Sequence, residues 1–194
     1  RYKARWVARG FSQKRDIDYT EIFAPVVRYS SVRLLLSLAN ALDLNLYGLD
    51  VSNAFARSDV DEELYVAMPT GYQQTDSSGT PQVCKLCKGL YGTKQAARLW
   101  QQTIRKHLLD DGWCQFESDP CIYIRKTSKF GLEYIGIYVD DILHVAPSDS
   151  AHTAFHKYCE RFFPTTTQGE LTWILGMEVK RDRSTRTLTL NQSQ

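Results

Sequence analysis

Hydrophobic positions fall into runs whose period names an element. Lys3-Ala4-Arg5-Trp6-Val7-Ala8-Arg9 alternates with a period of two. Lys3, Arg5 and Arg9 share one face and Ala4, Trp6 and Ala8 the other, which predicts a strand with a basic, solvent-facing side. After a polar stretch to Pro25, Val32, Leu35, Leu36, Ala39 and Leu42 recur at helical spacing. Ser30 or Ser31 can cap that helix, which runs to about Asp43. Short strands are expected over 44–49, delivering Asp50, and over 63–67, closing at Pro69. Residues 73–81 read as a surface loop and 82–86 as a strand. Helical spacing returns with Ala96, Trp100, Ile104 and Leu108, and Gly112 stands where a C-terminal cap belongs. Strands follow over 121–125, 132–139 and 142–146. Ser148 or Asp149 then caps a helix carrying Ala151, Phe155, Tyr158 and Phe162, which Pro164 ends. Strands over 171–180 and 185–190 finish the pattern. Frequent hairpins without a regular βαβ repeat predict an α+β class, an antiparallel sheet with helices packed on one face.

A hydrophobic fraction of 43% over 194 residues excludes disorder as the dominant state and suits one domain. No apolar run reaches the roughly 18–20 residues of a membrane span, so no membrane role is expected. The first residue is Arg1 and no leader pattern follows, which reads as a piece of a longer polypeptide. Lys plus Arg number 24 against 22 acids, so the total of +2 carries no strongly basic footprint, although local patches remain open. Five cysteines form no framework, which predicts reduced thiols in an intracellular compartment. Cys84 and Cys87 form a lone CxxC on a strand, where their spacing points them to opposite faces, so they read as buried or idle thiols.

The sharpest chemical signal is Tyr138-Val139-Asp140-Asp141. Two apolar runs are separated by two aspartates, a hairpin-length connection in which adjacent carboxylates repel unless a cation neutralises them. A solvated Asp-Asp turn is the plain alternative. Asp50 shifts the balance, because it also ends an apolar strand, in Leu49-Asp50-Val51-Ser52-Asn53-Ala54-Phe55. Three aspartates at neighbouring strand tips would hold two divalent cations suited to in-line phosphoryl displacement, and magnesium fits such donors. Spacing alone does not bring Asp50 to Asp140. His152, His156 and Glu160 share a helix face and read as a solvated polar face rather than a metal site. Asp110 and Asp111 read as exposed at a helix end, and His144 as packed or surface. GxSxG, P-loop and HExxH motifs are absent from the sequence.

Tyr138-Val139-Asp140-Asp141 resembles the YxDD signature of reverse transcriptases, and the whole chain resembles the copia-type (Pseudoviridae) LTR-retrotransposon polymerase domain. The matching blocks run in the family's order. They are KARWVARGF from Lys3, DYTEIFAPVVR from Asp18, LDVSNAF from Leu49, LYGTKQAARLW from Leu90, and GEL with LGMEV from Gly169 and Leu175. The resemblance implies one fingers/palm domain over 1–194, with a ferredoxin-like antiparallel sheet carrying the acids. Asp50 and Asp140 would be the principal ligands of two Mg2+ ions, which Mn2+ can replace, helped by the carbonyl of Val51. Asp141 would be the third acid. Phe55 would lie under the incoming sugar and disfavour a 2′-hydroxyl, against the alternative of an ordinary core Phe. Lys3 and Arg5 would grip the triphosphate, with a solvated basic edge as the alternative. Tyr91, Gly92, Lys94 and Gln95 would line the loop beneath template base and nucleotide, and Tyr138 would face template and primer. Thr93 and Ala97 stand where the family usually has Leu and Pro, which would leave that loop less restrained.

The implied partners are an RNA or DNA template-primer, dNTPs, and the thumb, RNase H and integrase of a Pol polyprotein, with thumb and RNase H outside this stretch. The implied location is a cytoplasmic virus-like particle and then the nucleus. Two other readings stand beside this one: a decayed or truncated fragment that keeps the fold and weak nucleic-acid binding, and another metal-dependent nucleotidyl transferase or nuclease.

Overall fold

The structure, a computed structural model, describes Tyr2 and residues 4–192. In chain order its regular elements are α1 (Tyr29–Ala41), β1 (Asn45–Val51), β2 (Tyr65–Ala67), β3 (Val83–Lys85), α2 (Ala96–Asp110), β4 (Cys114–Gln115) and β5 (Ile122–Thr127). They continue with β6 (Gly131–Tyr138), β7 (Asp141–Ala146), α3 (Asp149–Glu160), β8 (Thr165–Glu170), β9 (Trp173–Ile174), β10 (Met177–Asp182) and β11 (Thr187–Asn191). Short 3-10 turns occupy Gly10–Ser12 and Ala54–Arg57. The chain divides into two compact units, residues 1–24 with 53–105, and residues 25–52 with 106–194.

The second unit is built on a six-stranded antiparallel sheet in the order β4-β5-β6-β7-β1-β8. Residues opposite each other in an antiparallel pair share a face. Leu46, Gly48 and Asp50 of β1 therefore lie on one face with Val145, Leu143 and Asp141 of β7. Tyr47 and Leu49 lie on the other with His144 and Ile142. On the first face α1 buries Val32, Leu35, Leu36 and Ala39 in one cluster with Leu46, Leu143, Val145, Met177 and Val179. Gly136 allows the close approach there, since a Cβ on it would meet Leu35 at 3.3 Å. A three-stranded sheet, β11-β10-β9, completes this layer.

On the second face α3 brings Phe155 to 4.6 Å from the His144 ring, and Trp113, just beyond α2, packs edge-on to Phe155 at 5.3 Å. The helices thus divide between the two faces. α1 takes the face opposite α3 because its stripe fills the space between the main sheet and β10, which needs apolar cover on both sides.

Ser148 caps α3 through its hydroxyl, which accepts from the backbone N–H of Ala151 at 3.2 Å. α1 starts at Tyr29, ahead of Ser30 and Ser31, with Arg28 at the cap position and its N–H donating to Asp119 at 3.1 Å. The single strand expected over 171–180 is broken into β9 and β10, because Leu175 and Gly176 turn at positive φ and fold the segment back on itself. No helix among the described residues is long and apolar enough to cross a membrane.

In the first unit β2 pairs with β3 in antiparallel register, and α2 buries Ala96, Leu99, Trp100 and Ile104 at the expected spacing. Residues 4–9 form no strand. Their alternation finds no ladder partner, Trp6 and Val7 stay exposed, and Ala8 N–H donates to Tyr91 O at 2.7 Å. Lys3 lies outside the described residues. Arg98 braces this unit, donating to Asp61 at 2.5 Å and to the Glu21 carbonyl at 2.8 Å.

Candidate active site

β6 ends at Tyr138 and β7 begins at Asp141, and these two residues form the last pair of their ladder. The connecting turn is therefore Val139–Asp140, one residue earlier than the two aspartates suggested. Val139 has φ +55°, an unfavourable conformation for a β-branched side chain. Such a residue persists only where its surroundings over-determine it. Here the carbonyl of Asp140 accepts from Val51 N–H at 2.9 Å, which locks the tip to the end of β1.

This one-residue shift sets the site. Asp141 enters the ladder directly opposite Asp50, Asp140 stands at the tip, and Tyr138 and Thr166 extend the same row on either side. The row reads Tyr138, Asp141, Asp50, Thr166 across β6, β7, β1 and β8. Opposed like charges cost about 0.2–1 kcal/mol relative to neutral pairs. Burial raises the Asp141 carboxyl above the usual carboxylate range, and the charges of Asp140 and then Asp50 raise it further. Both other acids thus act on Asp141. Among the described residues no three His, Cys, Asp or Glu side chains already close into a cluster that could hold a metal ion. The donor set nevertheless fits a hard divalent cation, because it offers carboxylate oxygens and because a cation would relieve the repulsion that Asp141 carries.

That repulsion makes a stability prediction. The folded-state pKa of Asp141 lies above its unfolded value, so the ionised group costs stability at neutral pH. The cost fades as pH falls through the carboxylate range, where the folded form holds its proton. Asp141→Asn should raise stability at pH 7 by about 0.5–1 kcal/mol, or roughly 1–4 °C in a chain of this size. The gain should disappear near pH 3. Thermal melts of both proteins at the two pH values check it, and an equal or lower melting point for the variant at pH 7 would reject it.

Within the first unit three expected residues come together. The Tyr91 ring lies 4.6 Å from Phe55, and the exposed Arg5 guanidinium stands 5.4 Å from the Tyr91 centroid. Gly92 has φ +89°, and a Cβ there would fall 2.2 Å from the Ala8 carbonyl, so its close backbone approach is to this chain's own Ala8. Lys94 donates to the Gln13 carbonyl at 3.1 Å and the Tyr19 hydroxyl at 3.2 Å. Gln95 departs from the nucleotide-contacting role expected of it. It is fully buried, donating to Asp18 O at 2.9 Å and accepting from Gln13 at 3.1 Å, so it braces the unit. Thr93 does not loosen its loop, because its hydroxyl donates to Leu90 O at 2.8 Å.

The opposite sheet face holds a buried polar chain that sequence spacing does not reveal. Glu133, fully buried on β6, accepts from Arg125 at 3.2 Å and from His144 Nε2 at 3.2 Å. His144 Nδ1 lies 3.2 Å from His152 Nδ1, and His152 Nε2 lies 3.1 Å from the Thr167 hydroxyl. With both imidazoles neutral, one assignment of protons satisfies every contact of the chain. His144 donates to Glu133, His152 donates to His144, and Thr167 donates to His152. Both imidazoles are neutral, and burial lowers the His144 pKa and takes that of His152 to about 4. His152 is therefore a packed hydrogen-bonding group, stacked on Tyr47 at 3.9 Å, and does not belong to a solvated face. Asp111 is likewise engaged, by Arg125. The available signal was an acid set within the apolar 132–139 run.

A family model described as reverse transcriptase (RNA-dependent DNA polymerase) matches residues 1–193. The chain is 39% identical over 194 residues to the retrovirus-related Pol polyprotein from transposon TNT 1-94 of Nicotiana tabacum, covering all of this chain and 14% of that protein. It is 36% identical over 182 residues to the retrovirus-related Pol polyprotein from transposon RE1 of Arabidopsis thaliana, covering 93% of this chain and 12% of that one. The chain therefore spans only a small part of the length of these relatives. Among solved structures, apo telomerase from Candida tropicalis, truncated from its C-terminal domain, aligns with a TM-score of 0.44 and 9% identity. That alignment covers 86% of this chain and 40% of the telomerase, and at that score the likeness carries no weight.

Proposed function

Because the chain belongs to the reverse transcriptase (RNA-dependent DNA polymerase) family, among copia-type retrotransposon members, we propose that it supplies the fingers and palm of a working polymerase. Its reaction is extension of a primer 3′-hydroxyl with dNTPs on an RNA or DNA template. The observation that carries this reading is the placement of Asp50 opposite Asp141, with Asp140 tied by its backbone to Val51. Asp50, Asp140 and Asp141, with the Val51 carbonyl, would hold two Mg2+ ions, for which Mn2+ can substitute. Those ions would supply charge neutralisation for the triphosphate and activation of the attacking hydroxyl. The protein's own share is positioning. The Val139 turn fixes the acids in space, Tyr138 flanks them toward template and primer, and in the other unit Arg5 and Lys3 offer cations to phosphate. Tyr91, Gly92 and Lys94 shape the loop for the templating base. The wider partners, in this reading, are thumb, RNase H and integrase segments of a Pol polyprotein, acting in a cytoplasmic particle and then the nucleus.

Primer extension on an RNA template with Mg2+ or Mn2+ tests the proposal directly. Template-dependent incorporation of dNTPs is the expected result. Silence from folded protein, also when a thumb-containing chain is used, favours the decayed-fragment reading. Incorporation or cleavage without a primer and template favours a different nucleotidyl transferase or nuclease. Phe55, half-buried against Tyr91, makes a sharper prediction. Phe55→Val should lower the preference for dNTP over rNTP by about 100-fold in relative kcat/KM, the scale of discrimination a single steric wall supplies against an added hydroxyl. Unchanged preference would make Phe55 an ordinary packing residue.

A further inference from the structure

The sheet face away from Asp141 carries a second feature with a chemistry of its own. Arg125 pairs with Glu133 across β5 and β6, and that pair lies on the His144 face. Beside it, the β5–β6 connection and the last turn of α3 line an open groove with a volume of about 460 Å3. Its walls include Arg125, Lys129, Phe130, Lys157, Tyr158 and Arg161, with Asp111 the one acid. Asp111 and Glu133 both bind Arg125 and so neutralise it. Lys129, Lys157 and Arg161 have no carboxylate within ion-pair distance among the described residues. In a chain whose net charge is only +2, three such cations around one groove are a marked concentration.

Helix electrostatics explain only part of this. Cations at the end of α3 interact favourably with the helix dipole. Lys157 and Arg161 are four residues apart, though, where like charges oppose each other, and Lys129 comes from a different element altogether. Aromatic faces hold two of these cations in place. Arg161 stacks 4.5 Å over the Tyr158 ring, and Lys129 lies 4.8 Å over Phe130. Tyr158 is itself anchored by donating to the His107 carbonyl at 2.6 Å. Three cations, two of them over aromatic rings, around a space large enough for a nucleotide unit, fit a phosphate ester carrying a planar base.

We propose that this groove binds a phosphodiester of single-stranded nucleic acid, on the side of the sheet opposite the catalytic acids. The site would hold template or product strand outside the polymerase centre, and it does not depend on turnover. Its test is titration of the protein with fluorescein-labelled oligo-uridylate of twelve nucleotides across a range of salt. In Lys129→Ser/Lys157→Ser/Arg161→Ser, Kd should rise about tenfold or more at 0.1 M salt. The log–log salt slope should fall by roughly 2, at about 0.7 for each phosphate that is no longer neutralised. Lys126→Ser, which removes an exposed cation on the other face of β5 and outside the groove lining, should bind as the parent does, which separates this site from a general effect of charge. A 4-thiouridine oligonucleotide should crosslink to peptides containing Phe130 or Tyr158. Unchanged Kd and slope in the triple variant, with an unchanged melting curve, overturns the proposal. So does crosslinking confined to other peptides. Displacement by micromolar uridine monophosphate would assign the groove to a free nucleotide, and displacement by poly-glutamate to an acidic protein segment, each against the proposal.

Discussion

Asp140→Asn should lower primer extension by about 1,000-fold or more while leaving the fold intact. The contact that holds the turn tip is the backbone carbonyl of Asp140 on Val51 N–H, which the substitution does not touch. Asn is also tolerated in tight turns, so the hairpin should keep its shape. The variant gives up one of three clustered negative charges and one of the two Asp140 side-chain oxygens. In the proposed mechanism Asp140 is a principal ligand, whose loss would remove several kcal/mol of transition-state charge stabilisation, and about 4 kcal/mol corresponds to the stated factor. Single-turnover extension, read beside a thermal melt, separates chemistry from folding. Activity within tenfold of the parent would remove Asp140 from the proposed mechanism. A melting point lowered by more than a few degrees would instead mean that its side chain has a structural task.

Glu133→Ala should destabilise the protein by about 3–5 kcal/mol, the range found when one partner of a buried ionic set is removed. Glu133 is wholly buried between Arg125 and His144. Without it, Arg125 keeps Asp111 but faces an empty space, and its Nε is already a buried donor without a partner. His144 Nε2 would be left without its acceptor, which disturbs the proton arrangement through His152 to Thr167. Against a total stability of about 5–15 kcal/mol, this is a large fraction, worth roughly 6–20 °C in melting temperature. Glu133→Gln keeps the shape and one acceptor oxygen, so its effect should be about half as large. Chemical denaturation of the three proteins checks the order. A loss under about 1 kcal/mol for the Ala variant would mean that water or a rearranged Asp111 satisfies Arg125 and His144.

These two residues also mark how far the sequence could be read. Asp140 was visible because two charges interrupt an apolar run at hairpin length, and because its surrounding blocks stand in the order of a known family. Glu133 sits in the same run without such a signal. One acid within a strand has no sequence-local partner, and what makes it tolerable is Arg125 on the neighbouring strand and His144 on the next. Gln95 shows the converse. Its motif suggested a nucleotide contact, whereas Gln13, distant in sequence, occupies its amide.

By itself the sequence determined the elements whose signal is local. The stripes of α1, α2 and α3, apart from Leu42 and Phe162, which lie exposed beyond the ends of α1 and α3, the Ser148 cap, the hairpin between two apolar runs and the family's ordered blocks all follow from spacing and residue type. Where local pattern lacked a partner it misled, as in residues 4–9, whose alternation pairs with no strand. The tertiary structure alone decided the turn at Val139–Asp140, the placement of Asp50 directly opposite Asp141, the division of helices between two sheet faces, and the chain from Arg125 to Thr167. The reason is physical. Periodicity records which side of an element is apolar, whereas pairing register, and with it the meeting of charges far apart in sequence, is set by competition among long-range contacts that no local window contains.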